Sequence, residues 1–169
     1  MAPSIEDRLA ALEAIEQITA LKHRYWRACD AKDPETFADC FITDGAQIDY
    51  GPLGVFDDAA GLVDVFRRFG CARVDGRFAV LDLHHGGQPE IELLGPGRAA
   101  GRWTLQFRQL NTVARTETLA TGVYDDRYLL CADGRWRMSV CRFVQRWSHT
   151  RPLGDDETVV EGVFPDPGR

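Results

Sequence analysis

Residues 77–147 read as one strand after another, and three of those strands are too long to lie flat in a chain of 169 residues. The segments 77–85, 89–94, 98–113, 117–131 and 135–147 are rich in β-branched and aromatic residues. Turn signals separate them: Gly86-Gly87, Gly95-Pro96-Gly97 and Asp133-Gly134. A long strand in a small domain must curve or close on itself.

The first half is helical. Ser4 with Asp7 three residues on is an Asp variant of the capping box. Ile5, Leu9 and Leu12 begin an apolar stripe that continues through Ile15, Ile18, Leu21, Tyr25 and Cys29. Repeated steps of three drift around a helix of 3.6 residues per turn. Either the helix bends near Glu13 or its two halves meet different partners. Asp33-Pro34 starts a second helix carrying Phe37, Cys40 and Phe41. Asp57 or Asp58 caps a third, through Leu62, Val65, Phe66 and Phe69 to a stop at Gly70. Residues 46–50 read as a short strand. Helices first and antiparallel strands after give a single α+β domain: a strongly curved antiparallel sheet wrapped around three N-terminal helices, a cone with one open end. The cone spans residues 1–147. Residues 148–169 form a polar arm, or a flap over the pocket mouth, with an apolar patch at Val159, Val160, Val163 and Phe164.

Composition excludes several functions. The formal charge is -6 and lysine occurs only at Lys22 and Lys32, so nucleic acid is not an expected partner. No run of about 18 apolar residues offers a membrane span, and the N-terminus lacks a signal-peptide pattern. The expected location is the cytoplasm. Five cysteines without C-x-x-C spacing argue against a disulfide framework or a zinc site. No glycine-rich nucleotide loop, H-E-x-x-H or G-x-S-x-G is present. No cofactor and no metal are expected.

Acid–base chemistry remains. The first helix ends Tyr25-Trp26-Arg27-Ala28-Cys29-Asp30, placing a carboxylate at the end of an apolar stripe, where it needs a partner. His84 and His85 are adjacent on a strand and face opposite ways. Phe78, Val80 and Asp82 share the face of His84; Ala79, Leu81 and Leu83 share that of His85. Alternation does not choose between the two histidines.

The helix ending in Tyr-x-x-x-x-Asp is followed by Asp-Pro-Glu-Thr-Phe and by Phe-x-x-Asp-Gly-Ala-x-Ile-Asp-Tyr. Later come His84-His85-Gly86-Gly87-Gln88-Pro89-Glu90-Ile91 and Ala100-Gly101-Arg102-Trp103. Across residues 12–147 this pattern resembles SnoaL-like domains of the nuclear-transport-factor-2-like superfamily. It is most similar to the group holding scytalone dehydratase, bile-acid dehydratase and hexachlorocyclohexane dehydrochlorinase. The resemblance implies that Asp30 orients His84 as general base, with Tyr25 as acid or electrophilic partner. It also implies packing into trimers, or failing that dimers. Two positions depart from the pattern: Phe107 stands where bile-acid dehydratase has an acidic residue, and Gln145 where a functional arginine is expected. Scytalone dehydratase's second histidine has no counterpart in the strands after His85.

The expected function is a cofactor-independent lyase of the dehydratase or dehydrohalogenase type, or a related isomerase or cyclase. Its substrate would be a small, hydrophobic, ring-containing molecule, met by Trp26, Tyr50, Trp103, Phe107, Tyr124, Phe143 and Gln145. The alternative is a non-catalytic ligand-binding module, or a β-type subunit of a ring-hydroxylating dioxygenase.

Overall fold

A computed structural model describes residues 3–162. Helix α1 (Ile5–Ala31) starts at Ser4, whose hydroxyl accepts from Asp7 N–H while the Asp7 carboxylate accepts from Ser4 N–H, both at 3.0 Å. Helix α2 (Pro34–Asp39) is capped by Asp33 and α3 (Ala59–Val65) by Asp58, so the second of the two aspartates is the cap. A wide turn over Phe66–Gly70 ends the helical half.

The strands are β1 (Gln47–Asp49), β2 (Val55–Phe56), β3 (Arg73–Val74), β4 (Arg77–Phe78), β5 (Val80–Gly95), β6 (Arg98–Asn111), β7 (Thr116–Leu130) and β8 (Trp136–Pro152). Six form one sheet in the order β2-β1-β8-β7-β6-β5, and β3 with β4 forms a separate hairpin. The sheet is mixed, because β1 pairs with β8 in parallel while its other pairs are antiparallel. Helix α1 contacts both β5 and β8. Those strands lie three inter-strand spacings apart, about 14 Å in a flat sheet, more than the width of one helix. The sheet therefore curls around α1, giving the α+β cone.

Two strands differ from the sequence expectation. Residues 77–94 are not two strands with a turn at Gly86-Gly87: β5 runs through both glycines, with a register shift between Gly87 and Glu90. Gly86 serves close approach instead. A Cβ there would stand 2.1 Å from the Trp26 ring, so the indole lies directly against backbone. At the other end, β8 continues five residues past Trp147. Its last part pairs with the start of β7, where the Thr118 and Thr150 hydroxyls meet at 2.9 Å.

The two halves of α1 have different surroundings, as the drifting stripe requires. Ile18, Leu21, Tyr25 and Cys29 are buried, whereas Ile5, Leu9 and Leu12 are more than half exposed. A helix of 27 residues is about 40 Å long, and its first turns extend past the sheet. The described tail is tied down at two places. Arg115 holds it by donating to the Gly154 and Glu157 carbonyls at 3.0 Å, and Glu161 accepts from Phe78 N–H at 2.9 Å. Val163 and Phe164 lie outside the described residues. All five cysteines are free, and no described helix is long and apolar enough to cross a membrane.

Candidate active site

The site forms where the end of α1 meets the β5–β6 ladder. Cross-strand partners are His84 with Phe107, Asp82 with Gln109, and Val80 with Asn111. All six line the same cavity, because alternate residues of a strand share a face. That resolves the choice between the two histidines: His84 faces the cavity, and its ring packs against Phe107 with centroids 4.8 Å apart.

The Asp30 carboxylate reaches across from α1. Its Oδ1 lies 2.6 Å from His84 Nδ1, and both oxygens stand 3.1 Å from His84 N–H. One carboxylate thus grips the backbone and the ring of the same residue. A carboxylate only accepts, so the contact requires the proton on Nδ1, which in the neutral ring leaves the lone pair on Nε2.

The cavity has two lobes that share Tyr50, Leu53, His84, Phe107 and Gln109. The lobe on the helix side, about 520 Å³, is walled by residues such as Tyr25, Cys29, Phe37 and Phe66. The lobe on the sheet side, about 770 Å³, is walled by Tyr124, Phe143 and Gln145 among others. Trp26 and Trp103, expected on the wall, line neither lobe. They sit behind it, edge to face at 5.6 Å, with Trp103 Nε1 donating to the Tyr128 hydroxyl at 2.8 Å. The reason is Gly86, which lets the Trp26 ring sink to the sheet backbone. Arg146 lies with Arg102 and Thr104 away from both lobes, whereas Gln145 lines one.

Three phenols meet between the lobes. Tyr25 and Tyr50 share a short hydrogen bond, and Tyr50 Oη stands 3.4 Å from Tyr124 Oη. Burial pushes all three phenols up from their ordinary pKa of 10.0. Each is therefore a neutral donor at physiological pH, not a base. Burial likewise raises Cys29 and pushes Cys141 up to about 12, so neither thiol is a ready thiolate.

These shifts carry a stability prediction. Unfolding releases the buried thiols and phenols to their ordinary values of 9.0 and 10.0. Above pH 9 the unfolded chain then holds fewer protons than the folded one, so stability must fall as pH rises. Urea midpoints should be level from pH 7 to 8.5 and drop steadily between pH 9 and 11. A flat profile to pH 11 would mean these groups are not desolvated.

Beneath the phenols lies a buried ion pair. Lys22 Nζ is 2.8 Å from Asp126 Oδ2, both side chains are fully inaccessible, and the ammonium sits 3.6 Å from the Tyr124 ring centre. A second pair joins Lys32, the left-handed cap of α1, to Asp82, which also accepts from Gln109 Nε2 at 2.8 Å. Asp82, Gln109 and Asn111 were absent from the expected site. Alternation from His84 and Phe107 carries the signal for all three, once those residues are known to face inward. No three His, Cys, Asp or Glu side chains among the described residues are grouped to hold a metal ion.

The SnoaL-like domain model matches residues 10–142, most of the chain. The chain belongs to the SnoaL-like domain family. No curated protein matches the SnoaL-like chain in sequence. Among solved structures it is similar to the hexachlorocyclohexane dehydrochlorinase LinA-type3 from Novosphingobium barchaimii LL02, with a TM-score of 0.71, 20% identity, and coverage of 94% of this chain and 100% of that one. It is similar to a scytalone-dehydratase-like protein from Novosphingobium aromaticivorans DSM 12444, with a TM-score of 0.71, 20% identity, and coverage of 87% and 97%. ActVI-ORFA from Streptomyces coelicolor follows with a TM-score of 0.64, 15% identity, and coverage of 79% and 98%. At these identities the likeness establishes the shared fold.

Proposed function

We propose that this SnoaL-like protein is a cofactor-independent lyase that eliminates water or halide from a small hydrophobic ring, with isomerisation or cyclisation as the related outcomes. The observation that carries this reading is the 2.6 Å contact between Asp30 and His84 Nδ1 beside a largely apolar cavity. With Nδ1 protonated, Nε2 is the base that takes a proton from an acidic ring C–H. The C–H electron pair becomes the new double bond as the β substituent departs. A leaving hydroxide takes a proton from a neutral phenol, Tyr25, and departs as water; a halide needs none. Asp30 stabilises the imidazolium, which then returns its proton to the phenol or to solvent. The similarity to a hexachlorocyclohexane dehydrochlorinase and to a scytalone-dehydratase-like protein supports this class. The exposed Ile5, Leu9 and Leu12 face of α1 supports assembly into a homo-oligomer.

The test is a panel of cyclic β-hydroxyketones and β-haloketones incubated with the protein in D2O. Elimination, or deuterium entry at the α-carbon, is expected for at least one ring class at rates above buffer. Neither elimination nor exchange across the panel would favour the non-catalytic binding module.

A further inference from the structure

We propose that Gln109 is a specificity residue whose side-chain carbonyl selects ring substrates carrying a hydroxyl group. The inference rests on the cavity just described and adds what that cavity accepts.

Gln109 borders both lobes of the cavity. Its amide cannot turn freely. Nε2 donates to Asp82 Oδ1 at 2.8 Å, while the other Asp82 oxygen is engaged by the Lys32 ammonium. The Lys32 and Asp82 side chains are 1% and 7% exposed, so the pair is shut away from solvent. Turning the amide over would set its carbonyl oxygen against a carboxylate, two acceptors with no proton between them. Asp82 and Lys32 therefore fix the amide with its nitrogen on the carboxylate and its oxygen free. That oxygen takes no hydrogen bond from any described residue. In a largely apolar lobe, an oriented acceptor without a partner rewards a ligand that brings a donor and penalises one that brings another acceptor.

The spacing defines the ligand further. Gln109 and Phe107 are two residues apart on β6, opposite Asp82 and His84 on β5. One such step is about 7 Å along a strand. A ligand that puts its acidic C–H against His84 Nε2 meets the Gln109 oxygen about one ring-width away. The substrate class is thus a cyclic or fused-ring molecule with a hydroxyl across the ring from the carbon that loses its proton. Asp82 and Lys32 are positioning residues in this scheme, since they act on the ligand only through the amide.

Matched probes test this without turnover: 2-naphthol donates a hydrogen bond, and 2-methoxynaphthalene has the same ring but only accepts. Affinities are read by titration of probe fluorescence. The native protein is expected to prefer 2-naphthol by about fivefold to tenfold. Gln109→Leu should bring that ratio to about one with both probes still bound. Asp82→Asn should shift it toward the methoxy probe, because asparagine can donate to the Gln109 oxygen and turn the amide nitrogen to the cavity. His84→Gln should keep the naphthol preference even though it removes the proposed base, which separates this inference from the catalytic one. Equal affinities in the native protein, no measurable binding of either probe, or an unchanged preference in Gln109→Leu would each overturn the proposal.

Discussion

Asp30→Asn is expected to lower turnover by a factor of about 10³–10⁴ while leaving the fold intact. The carboxylate can only accept, so it dictates a proton on Nδ1, 2.6 Å away. Asparagine can still accept from His84 N–H through its oxygen, as both Asp30 oxygens now do at 3.1 Å. Its amide nitrogen would then face Nδ1 and favour the opposite tautomer, with the proton on Nε2. The base would be blocked without any loss of shape. His84→Gln should lose a similar factor, and the double variant little more, because the two residues act as one unit. The measurement is turnover on whichever panel substrate responds, with circular dichroism to confirm the fold. Full activity in either single variant would remove His84 as the base.

Lys22→Met is expected to cost about 3–5 kcal/mol of folding stability, a large part of the ~5–15 kcal/mol that holds a domain of ordinary stability. The change leaves Asp126 charged and fully buried. One Asp126 oxygen would keep only the Tyr128 hydroxyl at 2.8 Å, and the other already has no partner among the described residues. The Lys22→Met/Asp126→Asn pair should recover most of the loss, since a neutral amide can still accept from Tyr128. Urea midpoints of the two proteins decide the point. Equal midpoints would mean that Lys22 contributes through packing on the Tyr124 ring and not through its charge.

Much of the fold is legible in local chemistry. The Ser4–Asp7 box, Asp33-Pro34 and the helix-to-strand order lie within a few residues of the structures they specify. Gly86-Gly87 shows where local reading stops. A glycine pair marks a turn or a close approach equally well, and only the position of Trp26, some sixty residues earlier, decides between them. The end of β8 escaped for another reason: its last residues are exposed and polar on both faces, so no alternation survives to be read. At the site, the end of the apolar stripe marks Asp30 as needing a partner, whereas the choice of His84 over His85 and their pairing rest on resemblance until the geometry brings the two together. Asp82 shared a visible face with His84, but its partner Lys32 is contributed by a helix end, which periodicity cannot locate. Nothing in the sequence marks Lys22 as buried, because a burial that depends on Asp126 of β7 leaves no sign on its own helix.

The parallel pairing of β1 with β8 sets the order of assembly during synthesis. Ile48 pairs with Cys141, and through that pairing Tyr50 reaches Tyr25 and the Cys141 thiol. On a ribosome, every helix and the His84 strand emerge before the strand that seats Tyr50. The phenol cluster therefore closes only once β8 has emerged, and such distant pairings form slowly. A nascent chain stalled before β8 holds Asp30 and His84 but no finished pocket, so the proposed catalytic pair waits on β8.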